Sequence, residues 1–174
     1  MTTKYVYKDA FAVIGKAGQG PAENPHLWIL PLWDDANKCF GEIAELVRKN
    51  EDGAPLIWGA MNDINESNKR WGEAGFDDTG KYMAGGEADI DAVAPKGWTK
   101  WIIPAQTYLV ASCSMDEYGE VFEKIASKFG NKIVGSVHEF YPEPGNSAVL
   151  DVYFPIAAGM VDINELEEFD YGKC

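Results

Sequence analysis

The stretch 133–156, IVGSVHEFYPEPGNSAVLDVYFPI, constrains the fold of this chain more than any other. Its first part alternates with period 2, which predicts a strand ending near Tyr141. Residues 142–146 are rich in proline, glycine and asparagine and predict a turn, and residues 148–156 predict a second, more apolar strand. The stretch therefore predicts an antiparallel hairpin.

Glu139 is the anomalous residue of this hairpin, because it falls in phase with Ile133, Val137 and Tyr141. A carboxylate on an apolar strand face costs several kcal/mol unless something pairs with it. No lysine or arginine lies between residues 133 and 156. Glu139 is thus a candidate functional residue, and the alternative is a carboxylate at a strand edge that reaches water.

The order of predicted elements repeats along the chain. The first set is a strand at 11–14 that leaves into the glycine run GKAGQG, a helix at 31–49, and strands at 56–61 and 82–88 after a polar connection at 62–80. The second set is a strand at 98–113 interrupted by Pro104, a helix at 116–129 and the hairpin. We expect an α+β fold made of a tandem pair of βαββ units, approximately 8–90 and 98–158, with a ligand cleft between the halves and an acidic tail at 159–174. Each helix is expected to cover its own antiparallel sheet.

Charge and composition exclude several classes of function. A formal net charge of −13 opposes direct binding to nucleic acid or to an anionic membrane. No apolar run has the length of a signal peptide or a membrane span, which predicts a cytoplasmic protein. Cys39, Cys113 and Cys174 form no CxxC pair, and His26 and His138 lack partners at ligand spacing, so we expect no metal and no cofactor. Cys113 is more simply explained as a buried thiol than as a nucleophile, and no GxSxG motif is present.

Aromatic residues are numerous, with 6 Trp, 8 Tyr and 8 Phe in 174 residues. Most must belong to the core. Aromatic rings around one acidic group nevertheless favour a flat cation, since each ring face attracts positive charge by about 0.5 to 2 kcal/mol. The candidates at strand positions or element ends are Trp33, Trp58, Tyr82, Trp101, Tyr108 and Tyr141.

Three segments together carry a family resemblance: IIPAQTYLV at 102–110, VHEFYPEP at 137–144 and LDVYFPI at 150–156. They resemble the gyrase-inhibitor-like small-molecule-binding domain, which also serves as the effector-binding domain of some AraC-type and MerR-type multidrug transcription regulators. The first half is similar only loosely, through LWILPLWDDANKCF and KYMAGGEAD. The fold implied by the resemblance is a tandem, SH2-like βαββ repeat, which matches the order of elements above.

The resemblance implies that Glu139 faces bulky, often cationic hydrophobic ligands and that Tyr108 lines the same cleft. The other residues expected to bind ligand are Tyr141, Trp33, Trp58, Tyr82, Trp101 and Phe154. Some members resemble hydrolases that open strained cyclopropane rings, which would make Glu139 catalytic. The chain departs from the family at Asp151, where glutamate is common, and it shows no helix-turn-helix segment.

Three functions stay open at this point. The first is a stand-alone protein that binds hydrophobic or cationic small molecules in a multidrug-like way. The second is a gyrase-inhibitor-like hydrolase acting on strained electrophiles. The third is an inhibitor of a partner protein, which would use the acidic surface rather than the cleft.

Overall fold

The computed structural model describes residues 2–71 and 79–157. The elements in chain order are β1 (Thr2–Lys8), β2 (Phe11–Pro21), α1 (His26–Cys39), β3 (Ile57–Asp63), β4 (Thr79–Ala88), β5 (Thr99–Ile103), β6 (Gln106–Ser114), α2 (Tyr118–Phe129), β7 (His138–Tyr141) and β8 (Val149–Ile156). The α+β class follows the sequence prediction. The predicted hairpin at the end of the chain corresponds to β7 and β8, which pair antiparallel.

The strands form one sheet rather than two. The order is β1-β6-β8-β7-β3-β4-β2-β5, and every neighbouring pair is antiparallel. The joint between the two halves is the β3–β7 pair, in which Gly59 stands opposite Glu139. Two separate sheets were expected, but β7 continues the hydrogen-bonded ladder of β3, so Glu139 lies at the centre of a continuous sheet.

Chain connectivity requires this sheet to curl back on itself. β1 and β2 lie six strand positions apart, which corresponds to about 29 Å in a flat sheet. Yet Lys8 ends β1 and Phe11 begins β2, and three residues span at most about 11 Å. The sheet therefore has an inner face, enclosed by its own strands, and an outer face that carries both helices.

The two helices pack on the outer face because of their apolar stripes. The helix α2 buries Val121, Ile125 and Phe129 against strands of the second half. A capping box in which Ser114 and Glu117 exchange hydrogen bonds begins the helical segment. The helix α1 packs on β2 and β4, where Gly18 and Gly20 leave room for Leu32 and Trp28.

Several boundaries differ from those expected. β1, which pairs with β6, was not predicted, and β2 continues through the glycine run to Pro21. The helix predicted at 31–49 is α1 at His26–Cys39, with Pro31 inside it. Its spacing was misread because Ile43 and Val47 are buried from an irregular segment after the helix. Pro104 separates β5 and β6, which pair with different partners. The acidic tail at 159–174 lies outside the described residues.

Candidate functional site

A cavity of about 610 Å³ opens on the outer face of the sheet, between the beginning of α1 and the helix α2. Its floor includes Met61 from β3 and Glu139 from β7. The helix α2 contributes Tyr118, Phe122 and Glu123, and the remaining wall comes from the two segments that precede α1 and β7 and from Arg70 and Trp71. The surface is mainly apolar, so the polar groups within it determine what can bind.

Glu139 is the charged group at the floor of this cavity, with 8 % of its surface exposed. Its Oε2 accepts hydrogen bonds from the hydroxyl groups of Tyr82 at 2.6 Å and Tyr141 at 3.0 Å. The phenol of Tyr118 also lies near this carboxylate and favours its charged form. Tyrosine hydroxyl groups, not cations, therefore stabilise Glu139, and no lysine or arginine within 2–71 and 79–157 forms an ion pair with it.

Burial raises the pKa of Glu139 above its usual value, and the hydrogen bonds from the tyrosine hydroxyl groups partly oppose this rise. Burial and the neighbouring carboxylate in turn raise the pKa of Tyr82, so this phenol stays protonated and remains a donor. The cavity thus contains a carboxyl group with a raised pKa inside a mainly apolar wall.

The segment that follows β3 forms part of the wall through a network around Asp63. The Asp63 carboxylate accepts hydrogen bonds from the backbone N–H groups of Asn65, Ser67 and Lys69 at 2.7 to 3.1 Å. Burial raises the pKa of Asp63, but these donors outweigh that effect and the net pKa is lowered. The network fixes the backbone immediately before Arg70 and Trp71.

Three of the predicted aromatic residues lie beside Glu139. Tyr82 and Tyr141 contact its carboxylate directly, and the indole N–H of Trp33 donates to the Tyr82 hydroxyl oxygen at 3.1 Å. Trp33 also packs edge-on against Tyr141, with ring centroids 5.1 Å apart. Phe154 is fully buried beneath α2, where it packs on Phe122 at 5.4 Å between centroids. It supports the wall of the cavity rather than lining it.

The structure places Tyr108, Trp58 and Trp101 on the inner face of the sheet, away from the cavity. The expectation that Tyr108 lines the same cleft as Glu139 is therefore corrected. Its neighbour Leu109 is the residue of β6 that faces the helix side, and side chains alternate along a strand. Trp58 and Trp101 belong to the same inner cluster as Tyr108.

A second buried glutamate, Glu87, occupies this inner face. Its carboxylate accepts a hydrogen bond from the indole of Trp58 at 3.0 Å and forms ion pairs with Lys8 at 3.0 Å and Arg48 at 3.2 Å. Lys8 also lies over the ring of Phe11, 4.4 Å from its centroid. Glu87 is therefore a neutralised structural carboxylate, and sequence patterns gave no indication of it.

Sequence reasoning missed much of the cavity wall. Tyr118 was expected only as an apolar position of α2, yet it reaches Glu139. Trp71 lies in a polar segment without periodicity, where a lone tryptophan was the only available signal. It packs directly over Gly80 and near Trp28, with ring centroids 5.8 Å apart.

Residues 2–71 and 79–157 contain neither a metal-binding cluster nor a membrane-spanning helix. No group of three or more histidine, cysteine, aspartate or glutamate side chains in that part could hold a metal ion. Neither helix there is long and apolar enough to cross a membrane.

No protein-family model matches the sequence, and no curated protein is significantly similar to it. Solved structures are similar in fold. SAV2435 bound to tetraphenylphosphonium has a TM-score of 0.65 and 14 % identity, with coverage of 91 % of this chain and 95 % of that one. A putative transcription regulation protein from Staphylococcus aureus MU50 has a TM-score of 0.63 and 15 % identity, covering 90 % and 98 %.

The C-terminal domain of EcmrR is also similar, with a TM-score of 0.56 and 12 % identity over 90 % of this chain and 97 % of that one. In a complex of full EcmrR with DNA, the match covers 57 % of the EcmrR chain. The arrangement of the strands thus agrees with the resemblance carried by segments 102–110, 137–144 and 150–156: in fold, this chain is similar to SAV2435 and to the C-terminal domain of EcmrR.

Proposed function

We propose that the chain is a small-molecule-binding protein whose cavity accepts a bulky hydrophobic cation, with Glu139 as the charge partner. The observation that carries this proposal is the buried carboxylate of Glu139 in a mainly apolar cavity of about 610 Å³, where no lysine or arginine among residues 2–71 and 79–157 forms an ion pair with it. Such a volume suits a ligand of several rings. A bound cation would supply the missing counter-charge where water is largely excluded, so the attraction would be stronger than at a surface.

The comparison with SAV2435 supports the same ligand class, because a protein of this fold has been solved with tetraphenylphosphonium. The surrounding rings of Tyr118, Phe122 and Trp71 suit the aryl groups of such an ion. Glu123 lies in the same wall and adds a second acidic group, while Arg70 restricts where the positive centre can sit.

Calorimetric titration with two ions of matched shape tests the proposal. Tetraphenylphosphonium is cationic and tetraphenylborate is anionic, so their difference reports charge rather than size. We expect the wild type to bind the cation more tightly than the anion. Glu139→Gln should weaken binding of the cation by about tenfold or more, which corresponds to about 1.4 kcal/mol. The affinity for the neutral ligand triphenylphosphine oxide should change little in the same variant. Equal losses for the cationic and neutral ligands would contradict the proposal.

A hydrolase is the second candidate, favoured by the raised pKa of Glu139 beside tyrosine hydroxyl groups. A carboxyl group of this kind can exchange a proton with a bound electrophile or a water molecule. Incubation with a strained cyclopropane-bearing electrophile followed by mass spectrometry distinguishes the two functions. A gain of one water that requires Glu139 would indicate hydrolysis, and recovery of the unchanged compound would indicate binding alone.

A further inference from the structure

We infer that Gly59 is a positioning residue for the Glu139 site, because its missing side chain lets the Tyr82 hydroxyl group reach the carboxylate across β3. This inference rests on the proposed function, since it concerns how the charge partner of the ligand is held. Gly59 stands opposite Glu139 on one side and opposite Ala84 on the other. Tyr82 extends from β4 over this point toward β7.

The space above Gly59 is filled by the Tyr82–Glu139 hydrogen bond itself. A Cβ atom built on Gly59 would overlap the Tyr82 hydroxyl oxygen, and it would lie 2.7 Å from Tyr82 Cζ and 2.8 Å from Glu139 Oε2. Any L-side chain at position 59 would therefore force apart two groups that now lie 2.6 Å from each other. Glycine is required here for close approach.

The indole of Trp33 determines the direction of the hydrogen bond between Tyr82 and Glu139. The Trp33 indole N–H donates to the Tyr82 hydroxyl oxygen, so the Tyr82 proton is available for Glu139. Trp33, Tyr82 and Glu139 thus form a directed chain from α1 across the sheet, and Gly59 provides the gap through which it passes. Displacing Tyr82 would remove one of the donors that favour the charged carboxylate.

The groups packed around Glu139 define what its titration reports. Among the described residues, α1 and β3 contribute Trp33 and Gly59, which do not titrate. The titratable or charged groups that face the carboxylate or share its cavity are Tyr82 of β4, Tyr118 of α2, Tyr141 of β7, Cys113 of β6, Glu123 of α2, and Arg70. The phenols remain protonated over the acid and neutral range. The neighbouring His138, whose pKa burial lowers to about 4, titrates in the acid range, so the midpoint is read from the assigned Glu139 carboxyl signal itself.

The test is a titration of the Glu139 carboxyl ¹³C signal in ligand-free protein, with Glu139→Gln used to assign that signal. We expect Gly59→Ala and Tyr82→Phe each to move the midpoint upward by roughly one pH unit, because each loses the same donor. In the double variant the shift should equal that of Tyr82→Phe alone. A merely structural role of Gly59 would not produce this non-additivity.

Gly86→Ala is the matched control. Its added Cβ would crowd the Val47 side chain at 2.6 Å, away from the Glu139 carboxylate, so it should lower stability without moving the midpoint. An unchanged midpoint in folded Gly59→Ala, or additive shifts in the double variant, would overturn the inference. If Gly59→Ala does not fold, the carboxyl titration of Tyr82→Phe alone decides: an upward shift of the midpoint supports the inference, and an unchanged midpoint overturns it.

Binding is measured separately with tetraphenylphosphonium across the same pH range. The permanent charge of this ion means that only the protein titrates. Expected behaviour is a loss of affinity at low pH, with a midpoint that follows the carboxyl signal in each variant. If the wild type does not bind the ion, the proposed function fails, whereas the carboxyl titration still decides the role of Gly59.

Discussion

Two glutamates are buried on opposite faces of the same sheet, and their partners differ. Glu87 on the inner face contacts Lys8, Arg48 and the indole of Trp58. Glu139 on the outer face contacts tyrosine hydroxyl groups and lies at a cavity. A carboxylate with two cations needs no ligand, whereas one held only by neutral donors has no counter-charge when it is ionised. Counter-charge, rather than burial, therefore distinguishes a structural carboxylate from a candidate binding group.

Replacement of Glu87 should cause a large loss of stability. In Glu87→Gln, the new amide group would face the Lys8 and Arg48 donors, and the positive charges would lose their partner. Lys8 and Arg48 have side chains 24 % and 53 % exposed, so water can compensate them in part. We expect the free energy of unfolding to fall by about 2 kcal/mol.

Urea unfolding measures this loss, and tetraphenylphosphonium titration of the same variant supplies the comparison. The affinity of the folded protein should remain within about twofold, because Glu87 lies on the other face of the sheet. A variant that keeps its stability but loses cation affinity would reverse the assigned roles of the two glutamates.

A matched pair of tyrosine replacements tests the two faces next. Tyr108→Leu removes a fully enclosed inner ring and should lower the free energy of unfolding by about 2 kcal/mol with no change in affinity. Tyr118→Leu removes an aromatic ring from the cavity wall and a phenol that favours the charged Glu139 carboxylate, so it should weaken the binding of tetraphenylphosphonium by about fivefold. Calorimetric titration of both variants shows which face of the sheet binds the cation. Weaker binding by Tyr108→Leu would contradict the assignment of the binding site to the outer face alone.

Sequence patterns indicated Glu139 as an anomalous residue because both signals are local: its phase in the strand and the lack of nearby cations can be read within residues 133–156. Glu87 could not be interpreted in this way, since Lys8 reaches it only after the sheet has curled, and Arg48 only after its segment has bridged to the end of β4. Tyr108 was assigned to the wrong face for a related reason. Residues 108–111 of β6 are all buried, so alternation separates two faces but does not tell which one lies under the helices.

The single sheet could not be predicted from the order of elements along the chain. Strand, helix, strand, strand occurs as β2-α1-β3-β4 and as β6-α2-β7-β8. The single sheet depends on the pairing of β3 with β7. The hydrogen bonds of this pair are made by backbone groups that every residue carries, so the sequence does not indicate which strands meet. The cavity wall at Trp71 depends on Gly80, a contact with no periodic signature.

The pH dependence of stability should report the protonation of Glu139. Because the native pKa of Glu139 is raised, the native state retains a proton that the unfolded chain releases above about pH 4.3. Wild-type stability therefore falls as pH rises from there through the native pKa. Glu139→Gln lacks this loss, so its stability relative to wild type should increase with pH and then level off. Urea unfolding between pH 4 and 8 measures the difference.

Asp63→Asn serves as the control of opposite sign. The pKa of Asp63 is lowered, so its carboxylate contributes stability above about pH 3.9 that is lost as pH falls. The cost of Asp63→Asn should therefore be fully present at neutral pH and shrink in acid. A relative stability of Glu139→Gln that stays flat or declines with rising pH would show that burial does not govern the native Glu139 carboxyl group.

Salt should have the smallest effect, and it distinguishes Glu139 from the general acidity of the chain. A net charge of −13 attracts any cation, but free ions screen that attraction beyond about 8 Å at physiological ionic strength. A carboxylate within the cavity wall acts at contact distance, where screening is weak. Between about 50 mM and 500 mM NaCl we therefore expect the affinity for tetraphenylphosphonium to fall by no more than about threefold. The ratio of wild-type to Glu139→Gln affinity should stay nearly constant over this range. If that ratio instead approaches one at high salt, the cation is held by the diffuse surface charge, and the distinction between the two glutamates does not extend to binding.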